Sequence, residues 1–374
     1  MTPQRPFVVI DNSLSGRARI YRQPELLIRA DRPEDVSPAF RQMEDARRAG
    51  LTLAGYASYE LGYAFEARLG PLLPGERQVP LLCFGAFRSA ENLDPGSIAG
   101  EGSIASLMAD WSFEDYSPRF GKVLEHISAG DVYQINLTFP MRGRIAGDPL
   151  ALYRTLRSRQ PVAHGGVVAL GEETVLSLSP ELFFAVQAGR ITAKPMKGTA
   201  RRDGDPASDR NAALLLAVDE KQRAENLMIV DLLRNDLSRI SRIGSVHVPK
   251  LFEVETYPTL HQMTSTVAAE LLPDLDLYAL FAGLFPCGSV TGAPKIRAME
   301  IIRAIETMPR GVYCGAVGWI APWGDMSFNV AIRTLTCFAD GSAVFNVGSG
   351  IVADSTAMTE YDECLLKSRF LSPA

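Results

Sequence analysis

Lys197 lies in the run Ile191-Thr-Ala-Lys-Pro-Met-Lys-Gly-Thr199, and Glu181 follows Ser179-Pro180 one strand earlier. A hairpin turning at Ala188-Gly189 would set residue i opposite residue 377 − i, with Glu181 across from Met196 and beside Lys197. An amine and a carboxyl at a hairpin end make either a surface ion pair of little worth or a nucleophilic lysine with an acid–base partner. Glutamates form a second group. Glu225 opens an apolar helical run, and Glu360 and Glu363 stand one turn apart near the C-terminus. Such residues ordinarily form a solvated face. Carboxylates of this kind are also what magnesium takes, together with substrate oxygens and water. In the third group, Phe345-Asn-Val-Gly-Ser-Gly350 reads as a strand ending in a glycine loop whose bare N–H groups suit a carboxylate. Ser327–Leu335 alternates, with Arg333 on the face of Asn329 and Ala331, either exposed or free to grip a carboxylate with both arms.

These residues need a frame. Strands are expected at Phe7–Ile10, Leu81–Gly85 and Asp131–Phe139. Four more, 166–170, 174–178, 182–187 and 190–196, read as an antiparallel meander. Helices are expected over Ser37–Gly50, from a Ser-Pro start, and from a cap at Asp115 to Ser128. Over Asp219–Ile240, Leu227, Val230, Leu233 and Leu237 share a face that Met228, Ile229 and Leu232 widen until the helix reads as buried all round. Asp231 in that run is expected to pair with Arg234, and a last helix runs from Ser355 or Thr356 to Lys367. Strands and helices without strict alternation indicate an α+β fold. A Gly-, Ser- and Pro-rich stretch over 88–102 separates an N-terminal subdomain, 1–112, from a catalytic domain, 113–374.

Composition narrows the function classes. The 374 residues are 47 % hydrophobic and 22 % charged, which suits a folded chain with a large core. A formal charge of −5 without a basic stripe argues against nucleic-acid binding. The apolar helical segment 212–218 is too short to span a membrane. Met1–Ile10 lacks the apolar core of a secretion signal. Five scattered cysteines without a C-x-x-C pair suit reduced thiols, hence a cytoplasmic protein.

Longer motifs then carry a resemblance. Gly130-Asp-Val-Tyr-Gln-Ile-Asn-Leu137, Ser179-Pro-Glu-Leu-Phe183, Lys194-Pro-Met-Lys-Gly-Thr199 and the 219–236 run come first. Tyr257-Pro-Thr-Leu-His-Gln-Met-Thr264, the 285–297 run, Gly311-Val-Tyr-Cys-Gly-Ala-Val-Gly318, Gly348–Ser355 and Glu360–Lys367 follow. In this order the chain resembles the chorismate-utilising enzymes, most closely the aminodeoxychorismate synthase component I branch. The N-terminal third matches loosely.

The resemblance implies two antiparallel β-sheets packed as a sandwich with helices outside. It implies that Lys197 attacks C2 of chorismate, where anthranilate synthases usually carry alanine, and that Glu181 is the acid–base group. Glu225 and Glu363 would hold magnesium, with Glu360 behind them. Gln134, His261, Thr291, Tyr313, Arg333, Gly348, Ser349, Gly350 and Lys367 would line the substrate site. Gln134 stands where isochorismate and salicylate synthases carry a water-activating lysine, which favours ammonia as nucleophile. Gln222 replaces a glutamate common in the family. The implied product is 4-amino-4-deoxychorismate, on the way to 4-aminobenzoate and folate. Ammonia would come from a separate glutamine amidotransferase subunit, and a separate lyase would act afterwards. Anthranilate synthase component I and a non-catalytic chorismate-binding regulatory paralogue are the alternatives.

Overall fold

The computed structural model describes residues 4–257 and 260–371. Met1–Pro3, and Pro258 and Thr259 of the Tyr257–Thr264 motif, lie outside the described residues. Among the described residues, two ten-stranded sheets form, antiparallel throughout. Period-two alternation layers them. In the strand Phe7–Asn12, Val8 enters a core between the sheets while Phe7 and Val9 face helices on the outer side. In Thr52–Ala57, Ala54 and Tyr56 enter that same inner core, and Leu53 and Ala57 face helices on the opposite outer side. The result is a sandwich of sheets with helices packed outside. Its inner strands are buried on both faces, as the wholly buried Leu82–Phe87 illustrates, whereas His247–Thr256 has no buried residue.

The first 112 residues are woven through both sheets. Phe7–Asn12 pairs with His164–Ala169 in one, and Thr52–Ala57 with Ala316–Ile320 in the other. The expected meander proves to be two hairpins in different sheets: His164–Ala169 with Thr174–Ser179 in the first, and Leu182–Gln187 with Arg190–Lys194 in the second. The 377 − i register holds for Gln187↔Arg190, Val186↔Ile191 and Ala185↔Thr192. It then slips at an irregularity, so that Leu182 meets Lys194 and Met196 pairs with Thr264 instead of Glu181.

Helix starts differ from the reading. The first helix runs Pro33–Arg48, with proline at its first position and the Asp35 carboxylate accepting from the Arg32 N–H at 3.0 Å, so Ser37-Pro38 lies inside it. The helix Phe113–Ser128 is capped by Ser112, to which Asp115 reciprocates. Glu220–Ser238 starts from an Asp219 cap and buries Ile229, Val230, Leu233 and Leu237, but Leu227 and the Asp231–Arg234 pair are exposed. That helix is a lid on one sheet face, not a core element. The glycine segment is no loop: Ser342–Ile351 is one continuous strand. The run 327–335 splits between Met326–Asn329 in one sheet and Thr334–Cys337 in the other. Arg333 makes that break, with a left-handed φ of 52°. Among the described residues no helix is long and apolar enough to cross a membrane.

Candidate active site

Two crossings between the sheets sit side by side. Ser179-Pro180-Glu181 leaves the first sheet for the second, and Val330–Arg333 returns. They are stitched together: Ser179 Oγ donates to the Val330 carbonyl at 2.6 Å, the Val330 N–H to the Glu181 carbonyl at 3.0 Å, and the Leu178 N–H to the Arg333 carbonyl at 3.1 Å. This fixes the backbones of Glu181 and Arg333 before any ligand arrives. Glu181 is buried, and Ser289 Oγ donates to its Oε1 at 2.9 Å. Burial pushes its carboxyl up to about 7, against the pull of Ser289, Lys197 and Arg333. Burial lowers the affinity of Arg333 for its proton, and Tyr313, Glu181 and Glu363 face it.

Lys197 reaches the same place from the strand Met196–Arg201. Pairing with Leu260–Glu270 is irregular between Met196 and Thr199, and Gly198 takes a φ of 86° there. A Cβ placed on Gly350 would lie 3.2 Å from Lys197 Nζ and 2.9 Å from Gln134 Nε2, so these three residues meet. The Gln134 Nε2 is buried without a hydrogen-bond partner. Among the described residues neither Lys197 nor Arg333 forms a salt bridge. Two cations and a buried amide donor are therefore unpaired around one space, an arrangement that suits an anionic ligand.

The strand Ser342–Ile351 supplies backbone. Its pairing with Thr334–Cys337 ends at Leu335↔Phe345, while pairing with Gln134–Gly147 continues to Ile351. The Phe338 N–H donates to the Ser342 carbonyl, so alternate residues from Ser342 turn their peptides to that vacated side, Gly348 and Gly350 among them. There Lys367 Nζ donates to the Gly348 carbonyl at 2.8 Å. Ser349 points its side chain elsewhere, where Tyr116 and Cys364 surround its hydroxyl, and its own N–H and carbonyl fall on the Gln134–Gly147 side, so it does not line this strand edge.

The glutamates come from two helices. Glu225 lies on Glu220–Ser238; Glu360 and Glu363 lie on Ala357–Leu366. A Lys221–Asp354 pair at 2.7 Å ties the first helix to the segment preceding the second. Burial raises the Glu225 carboxyl, opposed by Lys197 and Lys221 and reinforced by Asp354 and Glu360. At Glu363 burial acts upward too, but Lys367 at 2.6 Å, with Lys197 and Arg333, holds the group below its ordinary value. Glu360 Oε1 accepts from Ser355 Oγ at 2.7 Å. No three Asp, Glu, His or Cys side chains converge on a metal position among the described residues. The donors are nonetheless all carboxylate oxygens, and a divalent cation needs only one or two of these beside substrate oxygens and water. A cation here would relieve the crowding of Glu225 by Glu360 and Asp354. The donor chemistry, oxygen throughout, is of the kind magnesium takes.

Two expected residues have structural partners. His261 Nε2 meets Asp209 Oδ1 at 2.9 Å and its Nδ1 meets Thr256 Oγ1 at 3.0 Å; Arg202 grips the same aspartate at 2.8 Å. That cluster fastens the helix Pro206–Val218 to the sheet. Thr291 Oγ1 donates to the Cys287 carbonyl at 2.8 Å, inside its own turn; Tyr313 is buried and directly precedes Cys314, whose φ is 62°.

Two residues went unread in the sequence. Ser289 was one hydroxyl in a Gly-Ser-Val-Thr turn. Arg310, with Glu306, reads as an ordinary pair four residues apart. In the fold Arg310 is buried, bonds both Glu306 oxygens, and donates to the carbonyls of Val290 at 2.8 Å and Asn136 at 2.6 Å. It thereby joins the Ser289 turn to the strand opposite Gly350. The one hint was the Pro309-Arg-Gly311 break, which places a cation at a turn between apolar runs.

Known proteins share this framework. Over 255 residues the chain is 42 % identical to aminodeoxychorismate synthase component 1 of Klebsiella aerogenes, covering 68 % of this chain and 56 % of that one. The Escherichia coli (strain K12) protein of the same name is 41 % identical over 262 residues, covering 69 % and 58 %. The chain thus matches little more than half the length of these two relatives. Anthranilate synthase component 1 of Thermus thermophilus is 35 % identical over 356 residues, covering 86 % of this chain and 77 % of that one. The crystal structure of anthranilate synthase component I from Streptococcus pneumoniae TIGR4 superposes with a TM-score of 0.83 at 24 % identity, covering 100 % of this chain and 93 % of the other. A family model described as chorismate binding enzyme matches residues 5–373, and the chain belongs to that family.

Proposed function

We infer that the chain is an aminodeoxychorismate synthase component, forming 4-amino-4-deoxychorismate from chorismate and ammonia. One observation carries the reading: Lys197 Nζ, unpaired, sits at Gly350 and Gln134 within the field of Glu181. Arg333, Lys367 and the Gly348 and Gly350 peptides are the groups that would bind the two carboxylates of chorismate. Neutral Lys197 attacks C2, the ring double bonds shift, and the C4–O bond breaks. Protonated Glu181 gives its proton to the departing oxygen, which leaves as water. Ammonia then forms a bond to C4 as the C2–N bond breaks and returns the amine of Lys197. The new ammonium gives one proton back to Glu181, which resets the site. Gln134 offers no base to activate water in place of ammonia.

Glu225 and Glu363 would hold magnesium, with Glu360 behind them. When bound, the ion would neutralise a substrate carboxylate. The relatives' name, component 1, supports a second component, which we take to be a glutamine amidotransferase that supplies the ammonia, with a lyase acting on the product to give 4-aminobenzoate for folate. A cytoplasmic setting suits these partners.

The test is incubation of the purified chain with chorismate, magnesium and ammonium, with product identification by mass. Aminodeoxychorismate is the expected product. Fluorescent anthranilate formed without added lyase would instead favour the activity named for the Thermus relative. Chorismate binding without turnover would make the chain a regulatory paralogue.

A further inference from the structure

We propose that Ser289 is the positioning residue of Glu181: its hydroxyl holds Oε1 and leaves Oε2 as the oxygen that exchanges a proton with the ligand. This rests on the acid–base reading of Glu181 given above and assigns a residue through which that role is set.

The geometry is specific. Ser289 Oγ lies 2.9 Å from Glu181 Oε1 and 3.2 Å from Cys287 Sγ, and all three residues are buried. Among the described residues Ser289 is the sole side-chain partner of the Glu181 carboxyl. A buried carboxyl held by one hydroxyl cannot rotate freely, because turning would strand both groups without a partner. The hydroxyl itself is held in place. It stands in the Gly288–Val290 turn, whose Val290 carbonyl accepts from Arg310 Nη1 at 2.8 Å and from Asn136 Nδ2 at 3.1 Å. The Thr291 hydroxyl closes the same turn onto Cys287. A chain of fixed contacts therefore runs from buried Arg310, through the turn, to one oxygen of the acid.

The arrangement also divides two tasks. Lys197 from the strand Met196–Arg201 and Arg333 from the crossing are the cations that face Glu181, and the Cys287 thiol lies behind Ser289. Burial favours the protonated carboxyl, while the Ser289 donor favours the ionised one. After the proton leaves Oε2, the Ser289 O–H remains donated to Oε1 and stabilises the carboxylate until the proton returns from the new ammonium. Ser289 forms and breaks no bond to the ligand.

The experiment measures kcat and KM for aminodeoxychorismate formation against pH in wild-type, Ser289→Ala, Ser289→Cys and Glu181→Gln proteins, each checked for folding by circular dichroism. Loss of the donor in Ser289→Ala should lower kcat about tenfold, leave KM for chorismate within about twofold, and move the alkaline limb upward by about one pH unit. Ser289→Cys, nearly isosteric with a weak S–H donor, should move the limb in the same direction by less, and it carries the test if the alanine variant does not fold. An unmoved limb in the folded serine variants, with the limb abolished in Glu181→Gln, overturns the Ser289 assignment alone. A wild-type rate and limb in Glu181→Gln overturns both that assignment and the acid–base reading.

Discussion

Arg310 and Glu306 form a buried two-armed ion pair, Nη2 to Oε1 at 2.7 Å and Nε to Oε2 at 2.9 Å, directly behind the candidate site. Their remaining bonds go to backbone: Glu306 Oε1 accepts from the Thr138 N–H at 3.0 Å, and Arg310 carries Val290 and Asn136. The pair is a joint between three chain segments, and the cation lies over the ring of Tyr59 at 4.5 Å.

Removing one member strands the other. Arg310→Met should destabilise the fold by about 3–5 kcal/mol, because it leaves a buried carboxylate without its counter-ion. Urea unfolding measures this, and Arg310→Met combined with Glu306→Leu should regain part of the loss. Equal stabilities of the single and double variants would mean that the two charges are not coupled.

Burial raises Glu181 from its ordinary 4.5 to about 7, and Glu60, which accepts the Arg310 and Gly311 N–H groups, likewise to about 7. Between pH 4.5 and 7 the folded chain keeps protons that the unfolded chain has lost. The stability these groups contribute is whole below about 4.5 and lost as pH rises through about 7. Each carboxyl accounts for on the order of 3 kcal/mol of that decline. Glu181→Gln should flatten the fall of Tm over this window, as followed by scanning calorimetry; an unchanged slope would place the titration elsewhere.

Lys197→Ala should keep chorismate binding and lose at least about a hundredfold in aminodeoxychorismate formation. In the wild type, arrested turnover should leave a mass adduct on the peptide carrying Lys197, and the variant should give only traces of an anthranilate-type product. A merely structural lysine would be worth about 0–1 kcal/mol and no rate. Wild-type turnover by the folded alanine variant would reduce Lys197 to that role.

Glu363→Gln should lower activity severely and raise the magnesium concentration needed for half-maximal rate, since a charged oxygen ligand is lost. It also frees Lys367 from its 2.6 Å partner. Lys367→Met separates the two effects: it should weaken chorismate binding without raising the magnesium requirement. Unaltered magnesium dependence in Glu363→Gln would make Glu363 a counter-ion for Lys367 only.

How much of this was legible in the residues differs from element to element. Local signals served well where one strand or helix decides the matter: the turn at Ala188-Gly189, the Asp231–Arg234 pair and the last helix all stand as read. Phe345–Gly350 was misread because glycines signal turns, yet here a neighbouring strand lies so close that a Cβ on Gly348 would come within 2.5 Å of Thr138. Such crowding is tertiary and leaves no local trace. The helix over 219–240 looked buried all round because periodicity cannot tell a helix inside a core from one laid on a sheet. Lys197 and Glu181 were brought together in the reading by a hairpin, whereas the fold joins them through a register slip and a change of sheet. His261 showed its residue type but not its partner, since Asp209 lies 52 positions away.

The stitched crossings at Glu181 and Arg333 have a consequence in time. Their mutual hydrogen bonds span some 150 positions of chain, from Leu178–Glu181 to Val330–Arg333. A ribosome delivers the lysine and the acid long before it delivers the arginine and the glycine strand. Contacts so distant in sequence form late in folding, so a nascent or half-folded chain has the amine and the carboxyl but no seat for a dianion between them. On the reading proposed above, the groups of the candidate site come together only once the last strands are in place.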